Sequence, residues 1–506
     1  MNTNVPTSHE SAGKDEQSNL LLEVRRKVYP RSVTGVFARW RWAMVWLTQI
    51  VFYGLPWLSW NDRQAVLFDL GERKFHIFSL ILYPQDFIYL TGLLVISAMA
   101  LFLFTTVAGR LWCGYTCPQT VYTEIFLWIE RQVEGDRNNR IKLDKSPFSM
   151  RKLRLKSVKH AIWIFVALWT GFTFVGYFTP INQLFNQLIT FTVSPWQAFW
   201  ILFYGFATYG NAGFMREQVC KYMCPYARFQ GVMFDRDTLV ITYDQHRGDP
   251  RGSRSLKVDA QSTGLGDCVD CGLCVQVCPT GIDIRDGQQY ECIGCAACID
   301  ACDKVMDKVG YPKKLIRYDT LNRVDSQAAL NSNAVISAEM NSADTSSVDR
   351  VSADMGSTAK ISQGTKLLRP RVIVYSIILL TATALLLGSL GTRINLKVDV
   401  MRDRGALSRE VQNGLIENVF RLLIINSEES PRTFNLSVEG LDNLFIDSQS
   451  TVSVDSASHK LVVARVRVDP EAGHSGSNEI TFIVQATDDA SVKREEKAVF
   501  YLPHQP

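Results

Sequence analysis

Five long apolar runs constrain this 506-residue chain more than any other feature. A helix needs about 20 predominantly apolar residues to cross the hydrocarbon core of a bilayer. Five runs are close to that length and predict membrane-spanning helices: residues 42–60, 87–108, 161–179, 196–213 and 372–390. The polar stretches around them are long enough for further domains. We therefore expect a multi-domain membrane protein whose core is an α-helical bundle with about five spans.

The distribution of Lys and Arg predicts how these spans are oriented. Cytoplasmic loops carry an excess of basic residues. Six basic residues lie in the segment 25–41 before the first run and ten lie in the loop 131–159, whereas the loop 180–195 has no charge. The N-terminus and the basic loop are therefore expected in the cytoplasm, and the uncharged loop and the loop 61–86 outside, the latter as a loop that partly re-enters. Residues 1–22 are polar and lack a signal peptide, so we expect the first span to be an anchor in a bacterial inner membrane.

The twelve cysteines fall into two groups. Four form two CxxxCP motifs, "CGYTCP" and "CKYMCP", and the other eight lie within residues 268–302. A disulfide-stapled secreted protein would scatter its cysteines differently. This usage indicates metal ligation in a reducing compartment. The net charge of +4 is too small to indicate a nucleic-acid partner.

The eight clustered cysteines form two C-x2-C-x2-C-x3-C runs. This is the spacing of bacterial ferredoxins with two [4Fe–4S] clusters, in which the fourth cysteine of each run ligates the other cluster. The predicted ligand sets are Cys268, Cys271, Cys274 and Cys302 for one cluster, and Cys278, Cys292, Cys295 and Cys298 for the other. Zinc is the alternative, but zinc sites favour two CxxC pairs around a longer loop. Gly272 and Gly294 are expected to relieve crowding near the sulfurs, and Asp303 replaces a frequent second proline.

The CxxxCP motifs allow several interpretations. The spacing places Cys113 with Cys117, and Cys220 with Cys224, on one face of a helix if the segment is helical. The prolines that follow, Pro118 and Pro225, are expected to begin or kink a helix. The thiols could pack as small buried residues, bind Cu(I), cycle between dithiol and disulfide, or hold an iron centre. Span, outward loop, span and motif occur twice along the chain, which predicts that the four thiols meet in one site. Neighbouring cations would lower their pKa values: Arg110, Arg216, Lys221 and Arg228.

The order of these motifs resembles the FixG/CcoG (RdxA) family of cbb-type cytochrome c oxidase accessory proteins. The segments "LFDLGERKFHIFSLILYPQDFIYL" and "IRYDTLNR" are also similar to that family. The resemblance implies reduction of Cu(II) to Cu(I) for the oxidase's copper centre. It also implies a copper site at Cys113, Cys117, Cys220 and Cys224. The partners it suggests are membrane lipid, copper ions, and oxidase subunits or copper chaperones, with an electron donor that the sequence does not identify.

The predicted domains follow from these patterns. They are a cytoplasmic tail (1–38), a four-span bundle (39–235), a cytoplasmic ferredoxin-like α+β domain (236–318), a disordered Ser- and Asp-rich linker (319–370), a fifth span (371–391) and a periplasmic domain (392–506). The last has period-two segments such as "KLVVARVRV" and "EITFIVQAT", which predict an all-β Ig-like sandwich. His459 and His474 are expected in solvated loops, and His76 is a slightly better candidate for binding copper.

The sequence therefore favours a membrane-bound oxidoreductase that carries electrons through iron–sulfur clusters to a copper site. Two alternatives remain at this stage. One is a quinol-linked redox subunit, which rests on a further resemblance to the membrane subunits of periplasmic nitrate reduction. The other is a non-enzymatic docking factor for the oxidase. Neither a haem-attachment CxxCH motif nor a nucleotide-binding glycine motif is present, which disfavours internal haem c and NAD sites.

Overall fold

The computed structural model describes residues 27–503 except Asp62 and residues 255–263, 328–368, 404–406 and 412–413. The chain divides into two compact units, each assembled from three stretches. The first unit comprises residues 1–49, 101–171 and 202–373, and the second comprises residues 50–100, 172–201 and 374–506. The α-helices are Val36–Gly54, Phe87–Ala108, Leu111–Tyr115, Pro118–Glu134, Arg137–Lys145, Met150–Val175, Ile181–Ile189, Pro195–Thr208, Pro225–Met233, Gln245–Gly248, Leu273–Val277, Ala297–Val309 and Pro370–Gly391.

Three helices in the described part of the chain are long and apolar enough to cross a membrane. They are Pro84–Ala108, counted with its short leading 3-10 turn, Met150–Val175 and Pro370–Gly391. The helix Val36–Gly54 is followed by a 3-10 turn, Leu55–Trp57, that contains Pro56, and its first turns carry Arg39 and Arg41. The helix Pro195–Thr208 has 14 residues and continues as seven π-helical residues. The predicted bundle of five spans is therefore not confirmed, whereas three spans are supported.

A buried group of aromatic and charged residues organises the helices of the first unit. The rings of Phe126 and Trp163 stack with their centroids 5.0 Å apart. Beside them, the buried carboxylate of Glu130 binds Arg216 at 2.8 Å and Arg140 at 2.9 Å. Buried charges are tolerated when they are paired and hydrogen-bonded. These pairs join the helix Pro118–Glu134 to the segments that follow it along the chain.

The first unit also contains the cysteine-rich fold. Strand Val240–Tyr243 pairs antiparallel with strand Ile316–Asp319, and both cysteine runs lie in the chain between them. The helices Leu273–Val277 and Ala297–Val309 pack against the same buried core. This is the α+β arrangement that the sequence predicts. The predicted linker 319–370 begins inside the second strand, continues into helical residues 321–327, and then lies mostly outside the described residues.

The second unit contains a two-sheet β-sandwich, as the period-two pattern predicts. One sheet has strands Leu396–Arg402, Arg409–Glu410, Ile416–Asn426, Phe445–Ile446 and Ser458–Val468. The other has strands Arg432–Glu439, Thr451–Val454, Gly476–Ala486 and Lys493–Leu502. All neighbouring strands are antiparallel. Alternate side chains from both sheets, including Phe420 and Phe482, form one buried core.

The expected loop 61–86 instead forms a small sheet in the second unit. Strands Val66–Asp69, Lys74–Ile77 and Leu80–Leu82 pair in order and antiparallel, after a hairpin of Ser59–Trp60 and Arg63–Gln64. Its buried residue Ile81 packs in one cluster with Ile425 of the sandwich. Not all charged residues of this segment face outwards, because Lys74 is buried in the middle strand and Asp86 is buried in the turn after the third strand.

Candidate functional site: two cysteine runs and two thiol pairs

The two cysteine runs share one backbone geometry. In each run the residues on both sides of the second cysteine have positive φ: 51° at Asp270 and 63° at Gly272 in the first run, 69° at Gly294 and 56° at Ala296 in the second. Residues with side chains adopt this left-handed conformation infrequently. Its recurrence at matching positions turns each run back on itself and directs its thiols inwards. The repeated spacing therefore produces a repeated fold of the backbone.

The structure places the eight cysteines around two small cavities of about 20 Å³ each. One cavity is lined by Cys268, Cys271, Cys274 and Cys302. The other is lined by Cys278, Cys292, Cys295 and Cys298, together with Cys274. The last cysteine of each run thus lies with the first three of the other run. The predicted ligand sets remain a proposal that this arrangement supports.

The chemistry of the lining fits iron–sulfur clusters. Both cavities combine four thiols with mainly apolar side chains such as Ile284 and Leu315. Burial raises the pKa of Cys302 to about 12 and that of Cys292 to about 12. Such thiols ionise when a metal replaces the proton. Asp303 accepts a hydrogen bond from the Lys314 amide at 2.9 Å, and its negative charge contributes to the raised pKa of Cys302.

The thiol pairs do not share one helical face, contrary to the expectation for a continuous helix. Cys113 lies in the short helix Leu111–Tyr115, whereas Cys117 is the N-cap of Pro118–Glu134. In the second motif Cys220 lies in the π-helical turn Val219–Met223, and Cys224 is the N-cap of Pro225–Met233. Proline lacks an N–H donor and disfavours helical geometry in the preceding residue, so each motif proline begins a new helix. The predicted role of these prolines as helix starters is therefore correct.

The four thiols nevertheless lie within range of one another's charge. Burial, together with the neighbouring thiols of Cys117, Cys113 and Cys224, raises the pKa of Cys220 to about 12. Burial also raises the pKa of Cys113 to about 11, although the Arg110 guanidinium lowers it. Arg110 thus lowers the pKa values of Cys113 and Cys220, as expected of a neighbouring cation, but burial raises both by more. Arg216, one of the expected cations, is paired with Glu130 instead.

The first thiol motif lies directly against the second cysteine run. Cys113 and Cys220 pack in one apolar cluster with Cys295. A Cβ added at Gly114 would lie 2.7 Å from the Gly294 carbonyl oxygen and 2.9 Å from the Cys295 Cα. A Cβ at Gly294 would in turn lie 3.1 Å from the Arg110 backbone. The two backbones approach this closely because both positions are glycine.

A buried arginine and a buried glutamine hold this contact together. The Arg110 guanidinium donates to the carbonyl oxygens of Tyr290, Cys292 and Ala227, the last at 3.0 Å. It also donates to Gln230 Oε1 at 2.5 Å, and Gln230 Nε2 lies 3.6 Å from the Cys113 sulfur. Gln230 is fully buried. Arg110 therefore links the second cysteine run, the helix Pro225–Met233 and, through Gln230, a motif thiol.

The helix Val36–Gly54 adds a second attachment to the cysteine-rich fold. Asp300 accepts hydrogen bonds from the backbone amides of Phe37 at 3.2 Å and Ala38 at 2.8 Å. A carboxylate at this place satisfies amides that have no partner within the helix and complements the helix dipole. The buried Arg41 donates to the Cys295 carbonyl oxygen at 2.6 Å. A Cβ at Gly35 would collide with Asp300 at 2.2 Å, so glycine is required for this approach.

The histidines show no comparable arrangement. His76 is buried in a strand, where its Nδ1 accepts a hydrogen bond from Arg63 Nε at 3.0 Å. Burial and the positive charges of Arg63 and Lys74 lower the pKa of His76 to about 4. His459 is exposed in the strand Ser458–Val468, not in the predicted loop. Across the described residues, no three His, Cys, Asp or Glu side chains are arranged to hold a single metal ion.

Sequence reasoning overlooked the residues that join the two cysteine groups. Arg110 was noted for its charge near the thiols and not for its carbonyl contacts, and Gln230 was not singled out. Gly114 and Asp300 lie inside the two motif regions, but the residues that they contact are distant in sequence. Gly114 approaches Gly294, and Asp300 accepts from the Ala38 amide 262 residues away. The glycine between the thiols in "CGYTC" was the available signal. Only the surrounding structure reveals what that glycine meets.

Comparison with known proteins supports this picture of the cysteine groups. Residues 215–321 match a family model described as a 4Fe-4S dicluster domain, and residues 90–134 match one described as a 4Fe-4S binding domain. The second match includes Cys113 and Cys117. Residues 386–503 match the IG-like fold at the C-terminus of FixG. The iron–sulfur and Ig-like predictions are confirmed at this level, and zinc is disfavoured.

Curated relatives match along almost the whole chain. The nitrogen fixation protein FixG of Rhizobium meliloti is 39% identical over 96% of this chain and 94% of its own length. Protein RdxA of Cereibacter sphaeroides is 35% identical over 94% of this chain and 96% of its own length. A crystal structure of a FixG-related protein from Vibrio parahaemolyticus is 22% identical and covers 22% of this chain and 98% of that one, with a TM-score of 0.20. Taken with the motifs and the domain order, the two long matches show that this chain belongs to the FixG/RdxA family.

Proposed function

We propose that this membrane protein reduces Cu(II) to Cu(I) for the assembly of a cbb-type cytochrome c oxidase. In this proposal an unidentified donor delivers electrons to the cytoplasmic cysteine-rich domain, and copper is the substrate at the four motif thiols. The clusters held by the two cysteine runs supply single electrons when they are bound. The oxidase subunits or copper chaperones that receive Cu(I) are the proposed partners.

The observation that carries the proposal is the contact between the thiol motifs and the second cysteine run. Cys113 and Cys220 share a buried apolar cluster with Cys295, and Gly114 touches the backbone of the same run. A substrate on these thiols is therefore next to a predicted cluster ligand. A merely structural pair of cysteines would not need this proximity.

The chemistry of the thiols suits both oxidation states of the substrate. Thiolates are soft ligands that select Cu(I). A Cu(II) ion that binds the motif thiols displaces their protons, accepts one electron, and remains bound as Cu(I). Burial of Cys113 and Cys220 favours the monovalent product, because an ion with less charge costs less to remove from water.

Serine variants of the thiols test this proposal. Cys113→Ser and Cys224→Ser should abolish copper reduction by purified protein while the iron content stays unchanged. Cys268→Ser should lower the iron content and stop reduction, yet leave copper binding measurable. If the Cys113→Ser and Cys224→Ser variants still reduced copper and supported oxidase assembly, the thiols would be structural and the docking-factor hypothesis would replace this one.

The family match at residues 90–134 favours a second candidate, in which the four motif thiols hold an iron–sulfur centre instead of copper. That match places a 4Fe-4S binding domain over Cys113 and Cys117, outside the eight cysteines of the dicluster run. Two [4Fe–4S] clusters require about eight iron atoms per chain, and a third raises this to about twelve. Iron analysis of anaerobically purified wild-type and Cys113→Ser protein separates the candidates. A loss of about four irons in the variant would favour the iron centre over the copper site.

A further inference from the structure

A cavity of about 90 Å³ in the first unit touches both cysteine groups. Its lining includes the thiol residue Cys220 and the cysteine-run residue Cys295. The exposed residues Arg31 and Ser32 also line it. A small molecule in this cavity would lie beside a motif thiol and beside a predicted cluster ligand.

Two buried arginines in the lining have donors without partners. Arg41 is 7% exposed and Arg140 is 4% exposed. Their terminal nitrogens are used, Arg41 on the Cys295 carbonyl oxygen and Arg140 on Glu130 and the Pro30 carbonyl oxygen. The Nε atoms of both arginines have no hydrogen-bond partner among the described residues. Buried donors in native proteins are almost always satisfied, so each of these calls for an acceptor.

The charge of the lining indicates what that acceptor is. Its cations are Arg31, Arg41, Arg131, Arg140 and Arg216, and its anions are Glu124, Asp136 and Glu217. Asp136 already accepts from Ser32, and Glu217 accepts from Gln218. Glu130, outside the lining, pairs with Arg140 and Arg216. Positive charge remains in excess, and guanidinium groups bind carboxylate and phosphate oxygens best.

We propose that this cavity binds a carboxylate anion, and that copper reaches Cys220 as an anionic carboxylate chelate. This inference rests on the proposed function, because it names the form of its substrate. A bare copper cation would be repelled by the arginines that line the cavity. A chelate with carboxylate oxygens would instead be attracted by the excess of positive charge in the lining.

The transfer balances without a further reagent. The motif thiols replace the carboxylate oxygens on Cu(II), and each thiol that binds releases its proton to the departing carboxylate or to water. The metal accepts one electron from the iron–sulfur domain of the proposed function and remains on the thiolates as Cu(I). The chelator leaves as the free carboxylate with its charge unchanged apart from any proton it has taken.

Calorimetry on the full-length, copper-free protein tests the anion site without relying on reduction. Wild-type protein should bind citrate. Arg41→Gln should weaken that binding roughly 10- to 100-fold, because a charge-assisted hydrogen bond is lost. Arg140→Lys, which keeps the charge that pairs with Glu130, should weaken it in the same direction. Arg39→Gln is the matched control, since Arg39 is exposed on the same helix and does not line the cavity.

A kinetic arm then tests the substrate class. In Arg41→Gln the KM for Cu(II)–citrate should rise by a similar factor, while the KM for a cationic Cu(II)–imidazole complex should not rise. Absence of citrate binding in wild-type protein, or binding of inorganic phosphate alone, would overturn the inference. Equal KM effects on both copper complexes would also overturn it. If citrate binding followed the expected pattern but no complex were reduced, the anion site would stand and the proposed function would fall.

Discussion

Replacing Gly114 with alanine tests the contact between the thiol motif and the second cysteine run. The added Cβ would lie 2.7, 2.8 and 2.9 Å from the Gly294 carbonyl oxygen, the Gly294 carbonyl carbon and the Cys295 Cα, where real Cβ atoms essentially never approach within 3.0 Å. All three neighbours are backbone atoms, so no flexible side chain can move aside. The second cysteine run must therefore move away from the thiol motif. Overpacking of this kind lowers the free energy of unfolding by about 1–3 kcal/mol.

This displacement of the second cysteine run should have a larger effect on the rate of copper reduction than on the stability of the protein. A displacement of about 1 Å in a reacting arrangement can cost about 100-fold in rate. Pre-reduced clusters regain their visible absorbance when they lose electrons to Cu(II), and we expect this recovery to be about 100 times slower in Gly114→Ala. Stopped-flow absorbance measures this rate, and iron analysis confirms that cluster content is unchanged.

Gly231→Ala is the matched control for this experiment. Gly231 follows Gln230 in the helix Pro225–Met233, and a Cβ there meets nothing within 4 Å. The rate at which its clusters regain absorbance should equal that of the wild type. A folded, fully loaded Gly114→Ala protein with an unchanged rate would refute the reasoning, because the thiols would then receive electrons by a route that does not depend on this contact.

Three further predictions follow from other parts of the chain. Asp300→Ala should cost about 1 kcal/mol by removing the cap of the helix Val36–Gly54, seen as faster hydrogen exchange of the Ala38 amide, and unchanged exchange would contradict the cap. The Arg467 and Arg409 guanidiniums outweigh burial and lower the pKa of Glu417, so its stabilisation is present above its unfolded pKa and is lost as pH falls through the folded value. Glu417→Gln should therefore speed hydrogen exchange in its own strand at pH 7, by an amount that corresponds to about 1 kcal/mol of opening free energy, because its arginine partners are partly exposed. The difference from wild type should shrink below about pH 4; a constant difference would be inconsistent with this. Reporter fusions at Ser157 and Asn186 should read opposite sides of the membrane, and one at the C-terminus should read periplasmic; a cytoplasmic C-terminal reading would exclude the five-span topology.

The motif prolines show which structural features local sequence predicts and which it does not. Pro118 and Pro225 were expected to begin or kink a helix, and both begin one. The i, i+4 spacing of the thiols suggested a shared helical face, and that expectation failed. Proline's effect is a property of one residue and its neighbour, whereas a shared face requires an unbroken helix across the whole motif. The same proline that starts the second helix prevents this.

The pKa values of the thiols show what local sequence does not predict. Arg110 is near Cys113 in sequence and does lower its pKa, but burial raises it more. Burial depends on which distant segments cover a side chain, and no sequence window of a few residues records that. The same holds for Arg216, whose charge is taken up by Glu130 in another helix.

The sequence by itself determined the chemistry and the types of element in this protein. Cysteine spacing indicated iron–sulfur ligands, period-two alternation indicated the β-sandwich, and apolar length indicated membrane helices, because each signal lies within a short stretch of chain. The tertiary structure alone decided how the two cysteine groups meet. Arg41 reaches the Cys295 carbonyl across 254 residues, and Asp300 caps a helix 262 residues away. Contacts at that separation arise from the packing of the whole first unit, and that packing sets which thiol lies beside which run.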